Sequence, residues 1–223
     1  MLSKCIGMIS WFPDNVLRAE RVRRFRNTLK QIDKYFKLPI VIIAQNWHEE
    51  DFDLEYSNSI KIYNYSHALG VTGANVILRE KLLLEDYDYF IHLDDDINFI
   101  GTQRDVDNYL KEIDNHPNMF GQLKKFQLAA QSKYMLKLMD WEYIKGLESY
   151  RGDLWEDVAY MNTYKRVYPN KFFTFKNTRL DMDFGPSEKD PASTWYTKDI
   201  NQRIVQQNTN RIINQWVESL RGR

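Results

Sequence analysis

Residues 39–44 read PIVIIA, six positions without one polar side chain. A strand with one wet face alternates apolar and polar residues. An unbroken apolar run of this length belongs instead to a strand covered on both faces, as in a parallel sheet flanked by helices. The neighbouring segments agree. Residues 4–10 (KCIGMIS) form another short apolar run, closed by a turn at Trp11-Phe12-Pro13-Asp14-Asn15. A helix is predicted over 16–35, capped by Asp14 or Asn15, with Leu17, Val22, Phe25, Leu29 and Ile32 near one face. A third strand is predicted near 59–63, a helix over 70–84, and a strand over 88–93 (DYFIHL). The order strand, helix, strand, strand, helix, strand predicts an α/β fold with a mostly parallel central sheet.

The rest of the chain is less regular. Helices are predicted over 104–115 and 154–167, one or two strands within 120–132, a strand over 171–175 and a loop over 183–193. A final helix is predicted over 199–220, where Ile200, Ile204, Ile212, Trp216 and Leu220 recur at multiples of four. No repeats interrupt the 223 residues, so one domain is expected.

Net charge is +0, from 31 basic and 31 acidic residues, which advertises no extended nucleic-acid footprint. The single cysteine, Cys5, cannot form an intramolecular disulfide, so a reducing compartment is expected. Residues 1–9 are too short for a signal peptide, and no run approaches the roughly 20 apolar residues that span a bilayer. A cytoplasmic location is the expectation; for a phage-encoded chain this is the host cytoplasm.

Ligands of open α/β sheets bind outside the carboxyl ends of the strands. Ser10, Gln45 and the triplet Asp94-Asp95-Asp96 fall at such ends. Three adjacent carboxylates raise one another's pKa unless a cation neutralises them. Mg²⁺ or Mn²⁺ suits the task, because it takes oxygen ligands and bridges substrate phosphates through one or two carboxylates. Strand alternation would put Asp94 and Asp96 on one side and Asp95 on the other. The plain alternative is a solvated acidic turn.

The stretch LGVTGANVILREKLLLEDYDYFIHLDDDINF resembles the family-2-type glycosyltransferases of GT-A fold. Those have a Gly-rich Ala-Asn helix start, then a hydrophobic strand ending in an Asp-rich donor motif. The resemblance covers about 4–100, and 150–167 more loosely. It implies a single GT-A (Rossmann-like) domain, with a nucleotide-sugar-binding half (1–100) and an acceptor-shaping half (101–223). It further implies that Asp96 binds the metal on the donor's diphosphate and that Asp94 meets the ribose or joins the metal, with Asp95 and Asn75 also at the donor. Ser10, Trp11 and Phe12, then Gln45 and Asn46, are the implied nucleobase contacts.

The second informative segment is Gly152-Asp153-Leu154-Trp155-Glu156-Asp157. Similar transferases carry a Glu-Asp pair at a helix start, where one carboxylate takes the acceptor hydroxyl's proton. Asp157 is the expected base and Glu156 the second choice, although first-turn carboxylates are also ordinary helix chemistry. Trp155 and Trp195 are candidate acceptor contacts, or core. Many relatives place a histidine metal ligand after this helix, whereas the last histidine here is His116. Asp181 and Asp183 are candidate substitutes or plain surface residues, and Lys189 and Lys198 are candidate phosphate contacts. The other histidines lack metal-ligand spacing.

Arg18, Arg21, Arg23, Arg24 and Arg26 crowd the first predicted helix. They suit either a solvated face paired with Glu20 or contact with phosphates of the donor or of DNA.

The expected activity is transfer of a sugar from a nucleoside-diphosphate donor, UDP-linked by preference, to a hydroxyl by direct displacement with inversion. For the acceptor, two classes stand: a glycan, lipid or protein, and a hydroxymethylated pyrimidine in DNA. The SWFPDN segment and the compact length resemble glycosyltransferases that modify phage DNA bases. The rival readings are a non-catalytic nucleotide-sugar-binding module and a nucleotidyltransferase. The latter's Gly-rich phosphate loop is missing from Ile9-Ser10-Trp11-Phe12-Pro13.

Overall fold

A computed structural model describes residues 1–123, 128–138, 156–184 and 202–221. The chain begins β1 (Lys4–Trp11), α1 (Arg18–Tyr35), β2 (Ile40–Gln45), β3 (Ile60–Tyr65), α2 (Gly70–Leu84) and β4 (Tyr89–Leu93). This is the predicted order. A single 3-10 turn, Glu49–Phe52, lies between β2 and β3. Then come β5 (Ile97–Ile100), α3 (Gln103–Asp114), β6 (Phe120–Gln122), β7 (Ala130–Ser132) and α4 (Lys133–Leu138). The described remainder is α5 (Glu156–Val167), β8 (Phe172–Thr174), β9 (Asp181–Phe184) and α6 (Gln202–Arg221).

Seven strands form one sheet in the order β3-β2-β1-β4-β7-β6-β8. β1 pairs in parallel with β2 and β4, β2 with β3, and β6 with β8. Only β7 runs against its neighbours, β4 and β6. The α/β class, the mostly parallel sheet and the C-terminal helix therefore hold. All six residues of β2 are buried, as its unbroken apolar run requires.

Both faces of the sheet are covered. On one, Ile6, Met8, Ile40, Ile42 and Ile91 pack with Phe25, Leu29 and Ile32 of α1 and Val106, Tyr109 and Ile113 of α3. On the other, Cys5, Val41, Ile43 and Phe90 pack with Ala74, Leu78 and Leu82 of α2 and Leu136 of α4. α2 lies so close to β1 that a Cβ on Gly7 would meet Leu82 Cδ1 at 3.0 Å. A third cluster joins Ala159, Tyr160 and Tyr164 of α5 to Ile212, Ile213, Trp216 and Val217 of α6. Burial pushes the Cys5 thiol far up, so it stays protonated and inert. No helix among the described residues is long and apolar enough to cross a membrane.

Two expectations need correction. The loop expected over 183–193 does not begin at 183: Asp183 and Phe184 close the strand β9, which pairs antiparallel with β5, Ile97 opposite Phe184 and Asn98 opposite Asp183. A four-residue strand is recognised by its partner, and here the partner lies more than eighty residues away. The triplet also departs from strand alternation. β4 ends at Leu93, and Asp95 and Asp96 form a turn into β5. Period-2 alternation does not extend through a turn.

Candidate functional site

From β1 the chain winds outward through β2 to β3, then returns to place β4 on the other side of β1. The direction of winding reverses between β1 and β4. In open α/β sheets the crevice outside the carboxyl ends at such a reversal is where ligands bind. Ser10 and Trp11 close β1 there, and Asp94, Asp95 and Asp96 follow β4. Gln45 closes β2 beside them, opposite Trp11 in the register.

The triplet's three side chains differ. Asp94 is the most open, about a third exposed, with His92 Nε2 lying 3.7 Å from its Oδ1. Asp95 and Asp96 are held together by one guanidinium from α1. Arg21 Nη1 donates to Asp96 Oδ2 at 2.9 Å and Nη2 to Asp95 Oδ1 at 3.2 Å. Asp95 is pushed up to about 6: burial raises it most, the Asp96 and Asp94 charges add to the rise, and Arg21 pulls the other way. Burial likewise raises Asp96 against the pull of Arg21 and Arg24. Ser10 Oγ is buried near Asp95 and favours its charged form, but makes no hydrogen bond of ordinary geometry among the described residues.

Arg21 and His92 are the residues that sequence reasoning missed. The only signal for Arg21 was the crowd of five arginines. That face proves mixed. Arg23 and Arg24 pair with Glu20, as a solvated face would. Arg18 instead grips Asp51 and donates to Asn46 O at 3.1 Å.

The residues expected at the nucleobase sit together at the ends of β1 and β2. Phe12 is buried, its ring stacked on Trp47 at 5.0 Å. Gln45 Oε1 accepts from Leu69 N at 2.7 Å, fixing the start of α2. Asn46 adopts φ +59° and donates Nδ2 to Phe12 O at 2.8 Å. Trp11 is half-buried at the end of β1. Asn75 is buried on α2, one turn before Arg79, whose guanidinium lies 3.9 Å from the centroid of the Tyr160 ring. Tyr160 belongs to the second turn of α5, the helix whose first turn carries Glu156 and Asp157. The side chains of Glu156 and Asp157, and all of Trp155, Trp195, Lys189 and Lys198, lie outside the described residues.

Asp181 is exposed and opposite Ile100, away from the triplet, while Phe184 stands opposite Ile97, next to Asp96. Among the described residues, no group of three or more His, Cys, Asp or Glu comes together to hold a metal. Asp94 and Asp96, the pair expected from the sequence, would offer two hard oxygen ligands. That set fits a Mg²⁺ or Mn²⁺ shared with phosphate and water, and does not fit a closed protein cage.

No known protein family and no curated protein matches the sequence. Among solved structures, one from Desulfovibrio desulfuricans G20, provisionally described as a nucleotide-diphospho-sugar transferase, has a TM-score of 0.51 at 12% identity, over 97% of this chain and 99% of that one. S. aureus TarS matches 64% of this chain and 31% of its own, with a TM-score of 0.41 and 8% identity. The first likeness is one of fold.

Proposed function

We propose that this chain is a glycosyltransferase that takes a sugar from a nucleoside-diphosphate donor, a UDP-sugar by preference, and gives it to an acceptor hydroxyl. The observation that carries the reading is the acidic triplet at the carboxyl-end crevice where the sheet's winding reverses. The fold shared with the Desulfovibrio desulfuricans protein supports it.

In this reading the nucleobase lies between the ends of β1 and β2, beside Trp11, over the frame that Phe12, Gln45 and Asn46 build. Ser10, Asn75 and Asp95 line the path toward the diphosphate. Asp94 and Asp96 would hold Mg²⁺ or Mn²⁺. The ion supplies charge stabilisation for the leaving diphosphate. Asp157 takes the proton of the attacking hydroxyl, with Glu156 beside it at the same helix N-terminus, where the dipole favours an ionised carboxylate. Trp155 and Trp195 are the aromatic candidates for the acceptor side. Displacement in one step inverts the anomeric centre. The acceptor is a hydroxymethylated pyrimidine in DNA or a glycan, lipid or protein hydroxyl.

Mass spectrometry tests both halves. UDP-sugars are offered with Mn²⁺ or Mg²⁺, hydroxymethylated DNA in one arm and simple glycans in the other. A sugar's mass gain in one arm identifies the acceptor class. Asp96→Ala is expected to lower kcat/KM by about a thousandfold, the scale of losing a main charge-stabilising group. Asp157→Asn is expected to lower kcat by a factor of roughly a hundred or more while UDP still binds. Wild-type activity in Asp96→Ala with unchanged metal dependence would sink the proposal.

A further inference from the structure

We infer that Arg21 is the resident counter-cation of the acidic triplet, and that a divalent ion enters by taking Asp96 from its guanidinium, which couples ion uptake to arrival of the diphosphate. The inference rests on the donor reading above and adds a residue to it that no sequence motif marks.

One guanidinium spans two successive carboxylates, 2.9 Å to Asp96 and 3.2 Å to Asp95. The side chains of Arg21, Asp95 and Asp96 are 16%, 9% and 19% exposed, so water screens the three charges poorly. Arg21 is no loose surface arm. It lies in the first turn of α1, one turn before the buried Phe25. Further along the same helix, Thr28 Oγ1 donates to Ile97 O at 3.0 Å, the first residue after the triplet. α1 and the acidic turn are thus fixed to each other. Of the neighbouring arginines, Arg18 holds Asp51, Arg23 holds Glu20 and Arg26 reaches Glu50 O, while Arg24 pairs with Glu20 and adds a weaker pull on Asp96; only Arg21 is seen to donate to the triplet among the described residues.

A divalent ion between Asp94 and Asp96 would stand against this guanidinium. The two cations repel, and Arg21 already satisfies the Asp96 oxygen that it holds. Asp94 alone is a weak ligand set. A diphosphate changes the balance. Its charge offsets the repulsion, and its oxygens complete the ion's shell while giving Arg21 new acceptors. Ion and nucleotide then favour each other's binding by the same factor. Without Arg21 the carboxylates would be open to the ion beforehand, and the coupling would shrink.

The test measures Mn²⁺ binding by electron paramagnetic resonance, with and without UDP, in wild type, Arg21→Gln, Arg21→Lys and Asp96→Asn. Arg23→Gln is the control, since the Arg23 side chain is exposed and its hydrogen bonds among the described residues go to Glu20. Wild type is expected to bind Mn²⁺ about tenfold tighter with UDP than without, a typical coupling between two ligands. Arg21→Gln is expected to bind Mn²⁺ alone about tenfold tighter than wild type and to lose most of the UDP gain. Arg21→Lys keeps the charge but cannot span both carboxylates, so it falls between. Asp96→Asn abolishes binding. Arg21→Gln binding Mn²⁺ alone no tighter than wild type overturns the inference. So does equal Mn²⁺ affinity with and without UDP in wild type, which needs no variant to fold. Persistence of Mn²⁺ binding in Asp96→Asn overturns it too, by placing the ion elsewhere. The two readings fail separately. Wild type that binds no UDP with Mn²⁺ present overturns the donor reading, whereas bound UDP with the same Mn²⁺ affinity in wild type and Arg21→Gln overturns only the role of Arg21.

Discussion

Arg18 ties the two loops that frame the crevice. Its Nη1 donates to Asn46 O at 3.1 Å and Phe12 O at 3.4 Å, carbonyls at the ends of β2 and β1. Its Nη2 pairs with Asp51, which is buried and also accepts from His48 N at 2.8 Å. Breaking a buried ion pair from one side leaves the other charge poorly compensated, which costs about 3 kcal/mol or more. Arg18→Met is therefore expected to lower stability in urea unfolding by about 3 kcal/mol. Arg23→Met, on an exposed pair of the same helix, should leave the unfolding midpoint where it is. Equal effects of the two would refute the distinction. The same pair shows what a sequence withholds at this scale. Five arginines in nine positions look alike on paper. Those that matter are chosen by partners far along the chain, Asp51 for Arg18 and Asp95 and Asp96 for Arg21. The carboxylates themselves were legible, because a run of three acids after an apolar strand is rare without a neutralising partner. That partner proved to include a partly buried guanidinium.

Among the elements, those with long apolar signatures were legible and those defined by a distant partner were not. β2 is marked by its own six buried residues, and α2 spans the predicted 70–84. β5 and β9 carry only four residues each and exist through mutual pairing, Phe99 opposite Met182 and Ile100 opposite Asp181. Hence the strand continuing from the triplet went unread, and with it the approach of Phe184 to the site. Glycines sharpen the same point. Gly121 of β6 lies under two rings: a Cβ there would stand 2.4 Å from Phe173 Cζ and 2.8 Å from Phe175 Cε2. Those rings are wedged in turn, Phe173 on His116 at 4.1 Å and Phe175 on Tyr109 at 4.3 Å. Gly121→Ala is expected to cost about 1–3 kcal/mol by overpacking. In Gly73, within α2, a Cβ meets only Leu69 Cβ at an ordinary 3.6 Å. Gly73→Ala should add roughly 0.5–1 kcal/mol through helix propensity. Thermal unfolding of the two variants checks the signs, and a Gly121→Ala protein as stable as wild type would show that the rings have room to give.

For the molecule as a whole, the first strand is clamped to two distant elements by carboxylates. Asp88, just before β4, accepts from Ser3 N and Ser3 Oγ, both at 2.8 Å. Asp114, the last residue of α3, accepts from Leu2 N at 2.8 Å and Lys4 Nζ at 2.6 Å. The Ser3 hydrogen bonds hold Asp88 below the usual carboxylate range. For Asp114, partial burial pushes upward, but the bonds from Lys4 and Leu2 outweigh it and the net shift is also down. A carboxyl whose pKa is lower in the folded chain than in the unfolded one binds fewer protons when folded. Its stabilisation is complete above the unfolded value, about 3.9 for aspartate, and is lost as pH falls through the folded value. The stabilisation from these two clamps should thus be lost as pH drops below about 4. The first region to loosen should be β1, in the middle of the sheet's parallel half between β2 and β4. Because β1 also carries Ser10 to the crevice, acid should weaken the proposed nucleotide binding together with the clamps. Urea unfolding at a series of pH values reads the slope directly. The double variant Asp88→Asn, Asp114→Asn is expected to be less stable than wild type at pH 7 and to lose less on acidification, so the two curves converge toward pH 3. Parallel curves across that range would mean that these clamps are not what acid releases.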